Sequence, residues 1–299
     1  MGRGSAEHVH TIVEAAKLAF ADREAWYGDP RHADVPLDTL LSGSYTDRRR
    51  ALLGDTASPS LRPGAPDGRV PRIPDATGAP LSHRDPAWLT QLDDGIPAVV
   101  RLTQAGGDTC CVTAADAVGN LVVATPSGGW LKSSPVIPGL GFPLGTRGQM
   151  AWLVEDHPNS LAPGKRPRTT LSPTLVLRDG CPHMAFGTPG GDQQDQWTLN
   201  FFLNHVHFGV PLAEAIEVPT FHTDHVPSSF TPRRSHPLTV IAEPGLTPEA
   251  LAELRRRGHM ITTAPANSLG KVCATAFTSD GLVTAAASSR GHQARAAAS

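Results

Sequence analysis

The sequence predicts a layered α+β fold, and three observations carry that prediction. Residues 6–27 place Val9, Ile12, Val13, Ala16 and Phe20 at the i, i+3, i+4, i+7 and i+11 intervals of one helix face. Short alternating runs are closed by the turn pairs Gly119-Asn120, Asp179-Gly180 and Asp280-Gly281, which is hairpin chemistry. The chain shows no βαβ run, so hairpins interleaved with helices are expected rather than a parallel sheet.

Taken in order, Ala6 to Tyr27 is the first helix, stopped by Gly28-Asp29-Pro30. Asp22 and Arg23 near its end are expected to form a structural pair. Leu37 to Leu53 reads as a shorter helical region. Residues 55–98 are rich in Pro, Gly, Ser and Asp with weak periodicity, the pattern of a mobile linker, and hold the apolar pair Trp88-Leu89. A hairpin follows, with Asp116 to Asn120 as its turn and Leu121 to Thr125 as its returning strand. Lys132 to Met150 and Pro158 to Arg168 are loops. Thr174 to Leu177 is a strand that turns at Asp179-Gly180 into Met184-Ala185-Phe186. Thr188-Pro189-Gly190-Gly191 leads into a helix starting near Asp192. Trp197 and Phe201 share one of its faces and Leu199, Phe202 and Val206 a neighbouring one, so it should be well buried; Gly209 ends it. Leu212 to Glu217 is a short helix and Leu238 to Ala242 a strand. Thr247-Pro248-Glu249 starts another helix, with Thr at the N-cap and Pro at the first position. Gly258 closes it, His259 to Thr263 is a strand, and Lys271 to Thr278 pairs with Leu282 to Ser288.

A length of 299 residues suits one large or two ordinary domains, and a formal charge of −2 argues for neither nucleic acid nor an anionic membrane as partner. The basic runs Arg48-Arg49-Arg50 and Arg255-Arg256-Arg257 sit at helix ends, where a solvated face is expected. No apolar run reaches the roughly 18 residues of a membrane span. Residues 1–20 lack the apolar core of a signal peptide, so a cytoplasmic location is expected. Cys110 and Cys111 point to opposite faces of a strand, and Cys181 and Cys273 stand alone, which gives free thiols rather than a disulfide or metal framework. His205-x-His207 and His222-x-x-His225 lack the cysteine or carboxylate spacing that would complete a site. Neither a metal nor any other cofactor is expected.

The stretch from Gly106 to Trp130, GGDTCCVTAADAVGNLVVATPSGGW, concentrates the chemistry. Thr109 stands where a Gly-Gly-Asp loop becomes a strand, and Thr125 and Ser127 bring two further hydroxyls to the same edge. A threonine hydroxyl needs an adjacent base to lose its proton. An N-terminal threonine supplies that base itself, because its α-amine has a reference pKa of about 7.7–8.0. Gly190-Gly191 at a helix start lets backbone N–H groups approach a developing negative charge.

The GGDT stretch, with GFPLGTRGQM, KRPRTTLSPTLVLRDG, AFGTPGGDQQDQW, FHTDHVPSSF and, near the start, AFADREAWYGDP, resembles the gamma-glutamyltransferases, a family of N-terminal-nucleophile hydrolases. The resemblance covers most of residues 6–54 and 99–290. It implies a four-layer αββα sandwich. It implies self-cleavage between Asp108 and Thr109, so that 1–108, including the linker, is the end of a large subunit and 109–299 the small subunit. Thr109 is then the nucleophile. Thr125 and Ser127 match the hydroxyls that steady it, and Gly190 and Gly191 match the oxyanion hole. Thr169 and Thr170 take the place of a serine pair that binds substrate, next to Gln149 in a second substrate segment. The implied substrate is a small amide or peptide of the glutathione type.

Two departures qualify the substrate. Gln149-Met150 is followed by Ala151 where an acidic residue grips the substrate α-amine in familiar members, and Gly129 replaces an asparagine. The family's large subunit is also much longer than the 108 residues before Thr109. Its early part, which carries an arginine for the substrate carboxylate, would be a needed partner, and without it a sheet face should be exposed. Three readings remain open: a γ-glutamyl amidohydrolase or transferase, an acylase of the same fold with a non-glutamyl substrate, and a non-catalytic remnant that binds a partner.

Overall fold

Helix α1 (Ala6–Trp26) starts where the Ser5 hydroxyl accepts the His8 backbone N–H at 3.2 Å, satisfying an orphan donor of the first turn. The computed structural model describes residues 1–74, 109–128, 134–230, 233–278, 280–291 and 294–297. The apolar face predicted for α1 is present, yet Glu14, Lys17, Asp22, Arg23 and Glu24 are buried along with Val9, Val13, Ala21 and Ala25. Charges survive burial when they are paired. Glu14 takes Lys17 and, at 3.0 Å, Arg62. Arg23 reaches Asp192 at 2.8 Å, and Glu24 meets Arg168 at 2.9 Å.

The expected Asp22–Arg23 pair does not form. Arg23 pairs instead with Glu24 (3.1 Å) and Asp192, and Asp22 with the Tyr45 hydroxyl (2.9 Å) and Arg49 (3.2 Å). That contact also corrects the reading of Arg48-Arg49-Arg50 as one solvated face. Helices α2 (Leu37–Leu40) and α3 (Gly43–Arg50) bring Arg49 inward, where it also donates to the Leu18 carbonyl at 3.0 Å. The described start of the supposed linker is docked rather than loose. Ala57 N–H bonds the Arg257 carbonyl (2.7 Å), Lys17 the Ser58 carbonyl (2.6 Å) and the Trp26 indole the Gly64 carbonyl (3.0 Å). Residues 75–98 with Trp88-Leu89, Asp108 and Gly129 lie outside the described residues.

Strands β1 (Val112–Ala115) and β2 (Leu121–Ala124) form the predicted antiparallel hairpin, with Thr113 opposite Val123. Its turn is held by the Asp116 carboxylate, which accepts the N–H groups of Val118 (3.1 Å) and Asn120 (2.9 Å). Next come β3 (Thr174–Arg178), β4 (Cys181–Gly187), helix α4 (Gln194–Phe202) and helix α5 (Leu212–Glu217). The remaining elements are β5 (Phe221–Thr223), β6 (Thr239–Ala242), α6 (Pro248–Arg256), β7 (Met260–Thr263), β8 (Cys273–Phe277) and β9 (Val283–Ala287). Asp179 (φ 51°) and Gly180 (φ 79°) make the left-handed two-residue turn that the sequence signalled between β3 and β4.

The antiparallel sheet β3-β4-β8-β9 buries Met184, Phe186, Ala274 and Ala276 against Phe201 of α4 and Ala215 and Ile216 of α5. The β1-β2 hairpin covers the other face, where the Thr113 and Thr275 hydroxyls are 2.8 Å apart. Helix, sheet and second sheet are thus stacked, as an α+β sandwich requires. The outward side chains of the hairpin, Val112 and Val122, and Leu175 and Leu177 of β3 are more than half exposed. They form an exposed apolar surface on the hairpin and β3. Helix α4 is well buried as expected, through Gln194, Gln196, Thr198, Asn200 and Phe201 with Phe202 packed on the core, but Leu199 and Val206 are exposed; a π turn over Leu203–His207 shifts Val206 off the helical phase.

A second core joins α1 and α6 to the sheet β5-β6-β7 through Val9, Val13, Phe221, Val240, Ala242 and Leu254. Here the expectation of no βαβ run is corrected, because β6 and β7 pair in parallel across α6. Each piece was legible, but β5 was not, and it is β5 that occupies the other edge of β6. No described helix is long and apolar enough to cross a membrane.

Candidate active site

The hairpin ladder runs one step beyond its strands, and that step builds the site. Cys110 N–H bonds the Pro126 carbonyl at 3.1 Å. Thr109 is thereby set beside Ser127, with their side-chain oxygens 2.6 Å apart. The short 3-10 turn Thr146–Met150 is tied to the same segment, since Thr146 N–H bonds the Gly128 carbonyl at 2.6 Å. From this turn the Arg147 guanidinium donates to the Ser127 hydroxyl and, at 3.5 Å, to the Thr170 hydroxyl.

Thr125 is buried on the inner side of the hairpin, with its hydroxyl 4.0 Å from Cys111 Sγ. It faces the end of β4, where a Cβ added to Gly187 would stand 3.4 Å from Thr125 Oγ1. Beyond Gly187 the chain reaches Gly190, whose φ of 145° suits glycine, and then Gly191. Helix α4 begins at Gln194, two residues later than expected, but Gln194 N–H bonds the Gly191 carbonyl at 3.3 Å. Gly191 therefore opens the turn that leads into α4, and the glycine pair lies just before the helix N-cap Gln193. Phe230 links the two regions: its ring lies 5.5 Å from the Arg147 guanidinium carbon and packs on Gly191.

Of the other predicted residues, Thr170 is buried beside Arg147, whereas Thr169 is exposed and its hydroxyl accepts the Leu171 N–H at 3.1 Å. Gln149 enters through its backbone, its carbonyl taking Arg233 at 3.0 Å; the Ala151 carbonyl takes the same guanidinium at 2.8 Å. Asp108 lies outside the described residues.

Beneath the glycine turn is a buried ionic network that the sequence did not reveal. Asp192 accepts from the Ser229 hydroxyl (2.6 Å), the Ser229 N–H (2.8 Å) and Arg23. Burial alone would raise the Asp192 pKa, but Arg23 and Ser229 outweigh it and hold the carboxyl below its usual range. Arg168, next to Thr169-Thr170, bridges Glu24 and the Ser229 hydroxyl (2.8 Å). Helix α1 thus anchors both the glycine turn and the threonine pair. Arg147 was placed in a loop by the sequence and given no role. A lone guanidinium in TRGQM, beside the candidate residue Gln149, was the available signal.

Cys273 does not stand alone: its thiol donates to the Cys111 carbonyl at 3.5 Å. Contact with Cys273 and then burial push the Cys111 thiol up, so the sulfur two residues from Thr109 stays protonated and weakly nucleophilic. The singled-out histidines serve the framework. His222 accepts from the Trp197 indole (3.2 Å), His225 from Leu238 N–H (3.1 Å), and His205 meets the Val210 carbonyl (2.8 Å). Among the described residues no three His, Cys, Asp or Glu side chains gather around a metal-sized space.

The family model for gamma-glutamyltranspeptidase matches residues 1–298. The chain belongs to the gamma-glutamyltranspeptidase family. The acylase ACY 1 proenzyme of a Pseudomonas sp. is 30% identical over 292 residues, which is 96% of this chain and 43% of the relative. The glutathione hydrolase proenzyme of Escherichia coli is 27% identical over 268 residues, covering 87% of this chain and 40% of the relative. The solved structure of LmbA2991HD is 50% identical with a TM-score of 0.83, over 98% of this chain and 48% of that one. Cephalosporin acylase from Bacillus halodurans, 23% identical with a TM-score of 0.72, bears on the fold alone. The family's α+β fold is therefore shared, while the chain spans less than half the length of these relatives.

Proposed function

We propose that this chain is the nucleophile-bearing part of a self-processing amidohydrolase whose nucleophile is Thr109. The observation that carries the reading is the Thr109 hydroxyl 2.6 Å from that of Ser127, at the first residue of a hairpin ladder. In processing, Thr109 Oγ attacks the Asp108 carbonyl and the C–N bond breaks with its nitrogen protonated, which frees the Thr109 α-amine and leaves an ester; water then opens the ester to free Thr109 Oγ and the Asp108 carboxylate. Residues 1–108 and 109–299 then become the end of a large subunit and the small subunit. In turnover, Thr109 Oγ attacks the substrate amide carbonyl while its proton passes to the α-amine. The amide N–H groups at Gly190-Gly191 hold the oxyanion. The amine hands the proton to the leaving nitrogen, and water hydrolyses the acyl ester.

For the substrate, the absence of a carboxylate at Ala151 favours an acyl group with no required α-ammonium, and Arg233 already fills the carbonyls around it. The acylase proenzymes among the relatives support this reading over strict glutathione hydrolysis. The exposed apolar face of the hairpin and β3 supports a need for an N-terminal segment such as the longer relatives carry. The test is intact mass of wild type and Thr109→Ala, each expressed with such a segment. Cutting before residue 109 in wild type alone is expected. An uncut wild type, or equal cutting of both, overturns the reading.

A further inference from the structure

The Arg147 side chain lies flat along the backbone that carries the candidate nucleophile's partner. A Cβ on Gly128, whose φ is 85°, would stand 2.8 Å from Arg147 Nε, so a glycine is what lets the guanidinium pass. Its N–H groups reach Ser127 and Thr170, with the Phe230 ring and, at 3.7 Å, Met150 Sδ beside them.

We infer that Arg147 is a positioning residue that directs the Ser127 proton onto Thr109 and leaves the Thr109 proton for its own amine. The inference rests on the reading of Thr109 as nucleophile and deepens it. A guanidinium has donors and no acceptor, so in its bond to Ser127 the serine oxygen must accept. Accepting from a cation polarises the serine O–H and makes it a stronger donor. Thr109 Oγ1, 2.6 Å away, is within ordinary O–H···O range of that proton. In the inferred arrangement Ser127 is the donor of this bond and Thr109 its acceptor. In the opposite orientation Thr109 would spend its proton on Ser127, and that is the proton the α-amine must take as the Oγ–carbonyl bond forms. Donation from Ser127 also stabilises negative charge building on Thr109 Oγ before the bond is complete. No atom of Arg147 needs to touch the substrate.

The experiment is a double-mutant cycle in the chain expressed with an N-terminal segment such as that proposed above, measuring kcat and KM for a glutaryl anilide. Arg147→Met removes every donor, Arg147→Lys keeps charge and donors, and Ser127→Ala removes the relay. Melting temperatures establish that each variant is folded. Arg147→Met is expected to lower kcat about ten- to a hundredfold, the scale of a charged hydrogen bond or a small misplacement, with KM within about twofold. Arg147→Lys should recover part of that loss. In the Ser127→Ala background, Arg147→Met should change kcat by less than about twofold, because the path is already cut. If Arg147→Met costs as much without Ser127 as with it, or acts mainly on KM, Arg147 works on the substrate or the loop and the inference is overturned. Turnover that survives Thr109→Ala overturns the nucleophile reading itself, a different result from additivity with Thr109 dependence intact.

Discussion

Replacing Gly191 with alanine probes the proposed oxyanion turn with the least collateral strain. Gly191 lies outside the left-handed region, and an added Cβ would stand 3.1 Å from Phe230 Cε2 and 3.4 Å from Gln193 Oε1. Carbon atoms settle at about 3.5–4.0 Å, so ring and turn must part by about 0.5 Å. Such overpacking costs about 1–3 kcal/mol in a tight site, a fall of several degrees in melting temperature with the fold intact. A turn displaced by that much no longer aims its amides at the oxyanion. We expect kcat to fall about 10–10²-fold with KM little changed, short of the 10²–10³ typical of deleting a donor. Steady-state kinetics on an anilide substrate reads this directly. Phe230→Leu in the same chain should relieve the clash and return most of the lost turnover. Near wild-type turnover in Gly191→Ala would take the glycine out of the site, and a loss untouched by Phe230→Leu would refute the clash as its cause. Gly190→Ala is a poorer probe. Its φ of 145° and a Cβ only 2.7 Å from Trp197 Cζ3 would strain the backbone by about 1–3 kcal/mol, so it reports on folding first.

Three further outcomes are expected. Glu24→Gln should cost about 3–5 kcal/mol in urea unfolding, because it leaves the buried Arg23 and Arg168 guanidinium groups without their shared carboxylate; a loss under about 1 kcal/mol contradicts the network. His157, His225 and His259 are held neutral to about pH 4, by burial first, with Lys17 adding at His225 and His10 at His259. Their unfolded pKa is about 6.5, so the unfolded chain binds more protons between those values and stability is lost as pH falls from about 6.5 to 4. A melting temperature flat from about pH 7 to 4.5 would contradict it, and His157→Gln should flatten part of the slope. Finally, γ-glutamyl and glutaryl anilides should be turned over with kcat/KM within about tenfold, since no carboxylate at Ala151 rewards the α-ammonium, a contact commonly worth about 1.5–3 kcal/mol. A larger preference for γ-glutamyl means that another residue grips the amine.

What was legible in the sequence was whatever local chemistry decides. Asp116 capping its own turn, Asp179-Gly180 in left-handed geometry and Thr247 accepting the Ala250 N–H at 3.2 Å all lie within a few residues of their partners. The parallel pairing of β6 with β7 and the turning of Arg49 into the interior depend on partners far along the chain, and periodicity carries no trace of them. The same division runs through the site. The candidates Thr109, Thr125 and Ser127 lie on one hairpin, so the sequence grouped them, and Thr170 was offered by motif. Arg147 and Asp192 act through contacts 20 to about 170 residues away in sequence, so only the folded chain joins them to it.

The ion pairs between α1 and the second half of the chain have a consequence for how the proposed processing changes the molecule. Arg23–Asp192, Glu24–Arg168, the His10–His259 contact at 2.8 Å and the Ala57–Arg257 bond all cross the bond before Thr109. While the chain is whole, forming them is unimolecular and independent of concentration. Once it is cut, the same contacts must be made between two molecules. The product should stay together because separation would uncover the core that Val9 and Val13 share with Val240 and Leu254, yet after denaturation its reassembly would be second order. Processing would then convert a reversible fold into a kinetically held one, in which dilution after unfolding is the irreversible step.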